Sequence, residues 1–270
     1  MIIFNDMVTH GTIYAIAGAF AGLVSGLFGI GGGVVVVPAL AYIFSHHDFV
    51  PAGMAMHMAA ATSLAIMIFT SQSTVRAYTR QEQVLWPRFN SMILGIVIGT
   101  VLGVTFASYV PTDVLRIILG LFLLVVAFEM AINFKVKRSR KRPSWWFNSS
   151  VSSLIGFKSG LLGVGGGVVV IPYLNWCGVN ARKIAAISAL CTMTVSIVGA
   201  SAFIVTSYHL PDLPSYATGY VYWPAVLLVA FPSMYFAPIG AKISYNLPMH
   251  KLKVAFTLIL ILTAIDLIID

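Results

Sequence analysis

The chain has 270 residues, of which 59% are hydrophobic and only 9% charged, and its mean hydropathy is +0.93. Soluble domains carry about 25% charged residues. A chain this poor in charge cannot cover its surface in water, so a soluble globular protein, a disordered chain and a coiled coil are excluded, leaving an all-α polytopic membrane protein. The net charge of +8 then points to Lys- and Arg-rich loops on the cytoplasmic side of a membrane, not to nucleic acid.

A bilayer-crossing helix needs about 20 apolar residues. Apolar segments fall at roughly 11–28, 33–45, 53–75, 87–109, 112–134, 148–163, 167–178, 183–207, 220–243 and 249–268. Six are long enough to span. The first, second, sixth and seventh are short, and each short pair meets at a glycine cluster, 29–33 or 163–167. Strands are not expected, because the segments are too long and do not alternate polar with apolar. The opening MIIFNDMVTH has no basic residue, so a cleaved signal peptide is not expected. Cys177 and Cys191 lie in apolar surroundings and read as small core residues.

Orientation follows from charge. If the chain changes sides at every segment and starts outside, the inner loops hold 14 of the 16 Lys and Arg. Only Arg116 and Lys158 fall elsewhere. The opposite arrangement would violate the positive-inside bias. Both termini are therefore expected outside a cytoplasmic (inner) membrane, with the basic run KVKRSRKRP inside.

The chain repeats itself. Residues 22–38, GLVSGLFGIGGGVVVVP, match residues 156–172, GFKSGLLGVGGGVVVIP, at 12 of 17 positions. Thr62-Ser63-Leu64 faces Ser188-Ala189-Leu190, Trp86-Pro87 faces Trp223-Pro224, and Glu129 faces Asp266. Each half has five segments, an odd number, so the second is inverted. The expected organisation is a first membrane repeat at 1–134, a basic cytoplasmic linker at 135–147 and an inverted repeat at 148–270. Inverted repeats with interrupted helices are a transporter architecture, with the site between repeats near the midplane.

The glycine clusters carry the chemistry. A break in a helix exposes backbone N–H groups at the next half-helix, and with the helix dipole these attract an anion. The candidate substrate-binding residues are Gly29, Gly31, Gly32 and Gly33 in the first turn and Gly163, Gly165, Gly166 and Gly167 in the second. Ser25 and Ser159 precede the turns as hydroxyl donors or as small packing residues. Thr62, Ser63 and Ser188 are similar candidates, although Ser and Thr often bond their own helix. Lys158 is a lone cation deep in its segment, where a charge is costly. It is a candidate anion ligand, with snorkelling or pairing to Glu129 as the alternative. GIGGGV lacks the last glycine of a dinucleotide fingerprint, and no GxxxxGK[ST] is present. A serine hydrolase using Ser25 and His57 is disfavoured, because the duplicated Ser159 has Lys183 at the position matching His57. The histidines show no metal-ligand spacing. No cofactor or metal and no catalytic residue is expected.

The doubled GxxSGLxGxGGGxxxxP, with its TSL segment and basic central loop, resembles the TauE/SafE family of membrane permeases over both halves. The resemblance implies a transporter of sulfite, sulfonates or other small sulfur-containing anions. It places the family's glycine motifs on 22–38 and 156–172 and its TSL on Thr62, Ser63 and Leu64, from which the second copy departs. Lys158 fits no family pattern. Export is the expected direction, since an inside-negative potential drives an anion outward by about 2.3 kcal/mol per charge per 100 mV. The alternatives are a transporter or channel for another small organic anion, an intramembrane enzyme or a scaffold. The expected partners are the anion and membrane lipid, with a homodimer left open.

Overall fold

The computed structural model describes residues 2–28, 32–46, 50–80, 85–132, 144–210, 213–246 and 249–269. Gly29, Gly31 and most of the basic linker lie outside the described residues. Ten α-helices run in order: α1 (Ile2–Phe28), α2 (Gly33–Ser45), α3 (Ala55–Arg80), α4 (Trp86–Ala107), α5 (Thr112–Ile132), α6 (Trp145–Leu162), α7 (Gly167–Trp176), α8 (Ala181–Ser207), α9 (Trp223–Asn246) and α10 (Met249–Ile269). A short β-hairpin, β1 (Ala217–Thr218) with β2 (Val221–Tyr222), joins α8 to α9.

Helix α1 begins at Ile2, ahead of the first apolar segment, which is a short apolar stretch over Gly11–Leu27. One expectation is corrected. The hairpin occupies the start of what reads as the ninth apolar segment, so α9 begins only at Trp223. Its strands are two residues each, too short to show as alternation. Five helices among the described residues are long and apolar enough to cross a bilayer: α3, α4, α5, α8 and α9. Among the described residues of α10 the apolar stretch is Phe256–Ile269. The exposed residues of α5 and α10 include Leu121, Val125, Phe128, Leu258, Leu262 and Ile269, as expected where the surrounding solvent is lipid.

Two helix pairs carry the packing, α1 along α9 and α4 along α6. Glycines bring their backbones together. A Cβ added at Gly18 would fall 2.5 Å from the Val229 carbonyl oxygen, one at Gly95 2.7 Å from that of Ser149, and one at Gly160 2.5 Å from that of Thr100. Gly22, Gly99, Gly103, Gly156 and Gly240 are pressed on the facing backbone in the same way. The register rises together in each pair: Gly95, Gly99 and Gly103 meet Ser149, Ser153 and Phe157 in turn, and Gly18 and Gly22 meet Val229 and Ser233. Both pairs are therefore parallel. Each joins one helix of the first half to one of the second. Without a hydrophobic drive between helices in lipid, close backbone packing of this kind supplies the association. Between the pairs lie α3 and α8, which run antiparallel. Leu64 of α3 meets Gly199 of α8, while Thr74 and Tyr78 share a cleft with Ala185 and Ala189.

Substitution tests this packing directly. Gly99→Leu should drive α4 off α6 and lose most of the monodisperse protein in detergent size-exclusion runs. Gly53→Ala, where an added Cβ meets nothing within 4 Å, should keep the wild-type profile and melting temperature.

Candidate functional site

The start of α2 meets the second glycine turn. A Cβ placed on Gly33 would lie 3.1 Å from the Gly165 amide nitrogen and 2.9 Å from the Met67 sulfur, and one on Gly165 would lie 2.8 Å from Thr192 Cγ2 and 3.2 Å from the same sulfur. The starts of α2 and α7 thus converge on one thioether of α3 and one side chain of α8. The second turn is shaped by Gly163, which ends α6 with φ of 67°. Only glycine adopts that left-handed conformation at little cost, and Gly163 also presses on the Ala60 backbone.

Gly32 and Gly166 are the N-cap residues, and no side chain caps either helix. Their carbonyls accept the first helical bonds, from Val35 and Val36 and from Val169 and Val170. The amides ahead of those bonds point outward from the helix start, as at every uncapped N-terminus. Each start carries about half a positive charge. Ser159 is fully buried and its hydroxyl has no hydrogen-bond partner. Its Oγ lies 3.9 Å from where a Gly166 Cβ would be, beside the start of α7.

A polar cleft of about 20 Å³ reaches the same region and is lined by Ser25, Thr70, Ser71, Thr74, Tyr78, Ala185, Ala189 and Thr192. It has space for one water molecule. Its lining is hydroxyl-rich and uncharged. Ser71 donates to the Met67 carbonyl at 2.5 Å and Thr74 to that of Thr70 at 3.0 Å. A larger crevice of about 310 Å³ between α1, α2 and α10 is apolar apart from groups such as Thr263 and Asp266. That lining suits an acyl chain, and its carboxylate would repel an anion.

The other candidate residues separate into three groups. Ser63 and Ser188 are fully buried with unpartnered hydroxyls. Thr62 is committed elsewhere: its hydroxyl accepts from the Tyr222 amide at 3.1 Å and donates to the Tyr220 carbonyl at 3.5 Å. Lys158 stands apart from the turns and the cleft. Its ammonium lies 4.2 Å from the centre of the Phe122 ring of α5, has no hydrogen-bond partner and is within electrostatic reach of Glu129. A cation over an aromatic face offsets part of its desolvation. His57 has no contact with either serine that precedes a turn. Its Nε2 pairs with the Ala107 carbonyl at 3.0 Å, and its ring stacks on Tyr220 at 5.1 Å.

Sequence reasoning missed Met67, Thr192 and the hydroxyl row on α3. The row was visible as Thr70, Thr74 and Tyr78 at intervals of four, one helix face.

A family model described as Sulfite exporter TauE/SafE matches residues 14–267. The chain belongs to the TauE/SafE family of membrane transporters. It is similar to a probable membrane transporter protein of Haemophilus influenzae, 30% identical over 97% of this chain and 99% of that one. It is also similar to the probable membrane transporter protein MJ0441 of Methanocaldococcus jannaschii, 28% identical over 91% of this chain and 90% of the other. The probable membrane transporter protein YunE of Bacillus subtilis is 23% identical over 95% of this chain and 96% of its own. No solved structure matches. The protein is thus a multi-pass membrane transporter and not an enzyme.

For this TauE/SafE chain, Ser159→Ala should leave the melting temperature unchanged or raise it, because a buried hydroxyl without a partner stabilises nothing. Anion binding should weaken by roughly tenfold, the loss of one hydrogen bond to a charged group. Lys158→Met should keep anion affinity within about twofold, since the ammonium faces Phe122, and should leave the melting temperature unchanged or raise it, because the ring offsets only part of the cost of burying the charge. Titration calorimetry and thermal melts of the detergent-purified protein read both effects.

Proposed function

We propose that the protein is a secondary transporter of a small sulfur-containing oxyanion across the cytoplasmic membrane. It works by alternating access, with the anion held between the two glycine turns. The observation that carries this reading is the convergence of two uncapped helix starts beside the buried, unpartnered hydroxyl of Ser159. Two half charges sum to about one positive charge, a match for a monoanion without any Lys or Arg. The set that would hold it is Gly32, Gly33, Gly165, Gly166, Gly167 and Ser159, approached through the cleft that Ser25 and Thr192 line. The family's description as sulfite exporters supports sulfite and chemically similar sulfonates as the substrate class.

The inverted-repeat reading has its own support. The repeat maps α1 on α6 and α4 on α9, and the parallel pairs are α1 with α9 and α4 with α6. Because α3 and α8 are antiparallel, α1 and α6 run in opposite senses, as inversion requires. Arg76, Arg88 and Lys183 stand at the cleft end, which the positive-inside bias assigns to the cytoplasm. The hairpin end then faces outside.

Flux of labelled sulfite and of a simple sulfonate into proteoliposomes tests the function. Uptake should be saturable and should follow an imposed inside-positive potential. Gly165→Leu, which fills the meeting point, should abolish it. Flux in empty liposomes equal to that with protein would sink the reading. For sidedness, Ser139→Cys and His209→Cys are compared in a chain lacking Cys177 and Cys191. In intact cells an impermeant thiol reagent should label position 209 and leave 139 unlabelled until the membrane is permeabilised.

A further inference from the structure

Three of the buried unpartnered hydroxyls, those of Ser63, Ser159 and Ser196, form a pattern. In the repeat, an offset of 134 carries Ser25 onto Ser159, and an offset of 126 relates Thr70 to Ser196 and Ser63 to Ala189. The cleft lined by Ser25, Thr70 and Ala189 therefore has a counterpart built from Ser159, Ser196 and Ser63. The cleft is open and its counterpart is shut. Ser63, Ser159 and Ser196 are each 0% exposed, and none of the three hydroxyls has a hydrogen-bond partner. Gly163 on Ala60 and Gly199 on Leu64 close the junction of α3, the α6–α7 turn and α8 around them. Unpaired buried hydroxyls are a net cost to folding. Three in matched positions call for a state in which they are paired.

The β-hairpin lies over this shut set. The Tyr220 amide donates to Ser207 Oγ at 2.9 Å, and the Tyr222 amide to Thr62 Oγ1 at 3.1 Å. The Tyr220 ring stacks on His57 and meets the edge of Phe203 at 6.2 Å, and Tyr222 meets Phe44 at 6.0 Å. Burial holds the Tyr220 phenol above its ordinary pKa, so it stays neutral. Gly219, at φ of 56°, is wedged against Ile204 and Ser207. At the cleft end α3 and α4 are joined by the shorter stretch 81–85, against 208–222 between α8 and α9.

We infer that Ser63, Ser159 and Ser196 are the second half of the anion path, shut in this state and hydrated when the transporter opens to the other side, and that hairpin 217–222 is the gate over it. Thr62 is its latch: one hydroxyl bonds two backbone groups of the hairpin. The inference rests on the inverted-repeat, alternating-access reading above and adds to it which residues line the opposite opening and what closes it.

The test is cysteine accessibility in a chain carrying Cys177→Ser and Cys191→Ser, reconstituted in vesicles of either orientation and probed with an impermeant thiol reagent. Ala185→Cys should label from the cleft face. Ser196→Cys should label slowly from either face. Adding Thr62→Val removes both latch bonds while keeping the side-chain shape. It should speed labelling at 196 by about tenfold from the face opposite to the one that labels 185, the scale of one or two hydrogen bonds. Tyr220→Ala should do so by more, and Thr62→Ser should keep the slow rate. Labelling at 185 reports that each variant is folded. A slow rate at 196 in both loosened variants, with 185 still labelling, would overturn the inference. Fast labelling at 196 from the cleft face, or a rise with Thr62→Ser equal to that with Thr62→Val, would do the same. The readout needs no substrate. A chain that opens in this way but moves no sulfur anion would therefore defeat the transport reading and leave the gate standing.

Discussion

Backbone polarity without water is the constraint on which the rest of this structure depends. Inside a bilayer every N–H and C=O must find a partner within the protein or line a wet cavity. Helices α2 and α7 begin deep in the bundle, and no side chain caps either start. Their starts come together at Met67 and Thr192, and on the proposed reading the two helix dipoles there make one electropositive centre. The fold around it, with α3 and α8 as walls and the glycine-packed pairs outside them, keeps lipid away from that centre.

Electrostatics of this kind differ from a lysine or arginine site. Fixed backbone dipoles supply charge without a titrating group and without a long side chain to order, so a site built from them is ready before the ligand arrives. Met67 fits the same logic. Its flexible thioether fills the gap between the turns when nothing else does and can move aside at little cost. Lys158, by contrast, spends its charge on the face of Phe122 and the field of Glu129. It braces α6 against α5, a contact that is otherwise slight.

The amino-acid sequence made the membrane class, the segment count and the second glycine turn legible, because each rests on local composition. The meeting of Gly33 with Gly165 followed from the doubled motif plus the odd number of segments. The place of Lys158 was not legible. Depth in a segment tells how far a side chain lies from the interface, but not which neighbour its helix face meets, and here that neighbour is an aromatic ring across α5. Thr62 was legible as a conspicuous hydroxyl in the TSL segment but not as a partner of the hairpin, since Tyr220 and Tyr222 lie about 160 residues away. The hairpin itself is too short for a periodic pattern. Thr70, Thr74 and Tyr78 were readable from spacing alone, as one face of α3.

The parallel pairs also bear on how the chain is made. Helix α1 leaves the ribosome first, yet its close partner α9 is among the last to emerge, and α4 likewise waits for α6. Neither half can complete its packing alone, because the glycine faces of α1 and α4 are cut to fit helices of the other half. The newly inserted first half must therefore hold its small-residue grooves open to lipid until synthesis is nearly over. The final fold is reached by threading late helices into prepared seats. Assembly is then a property of the whole chain, and a membrane protein that looks like two modules in its sequence is a single cooperative body in the bilayer.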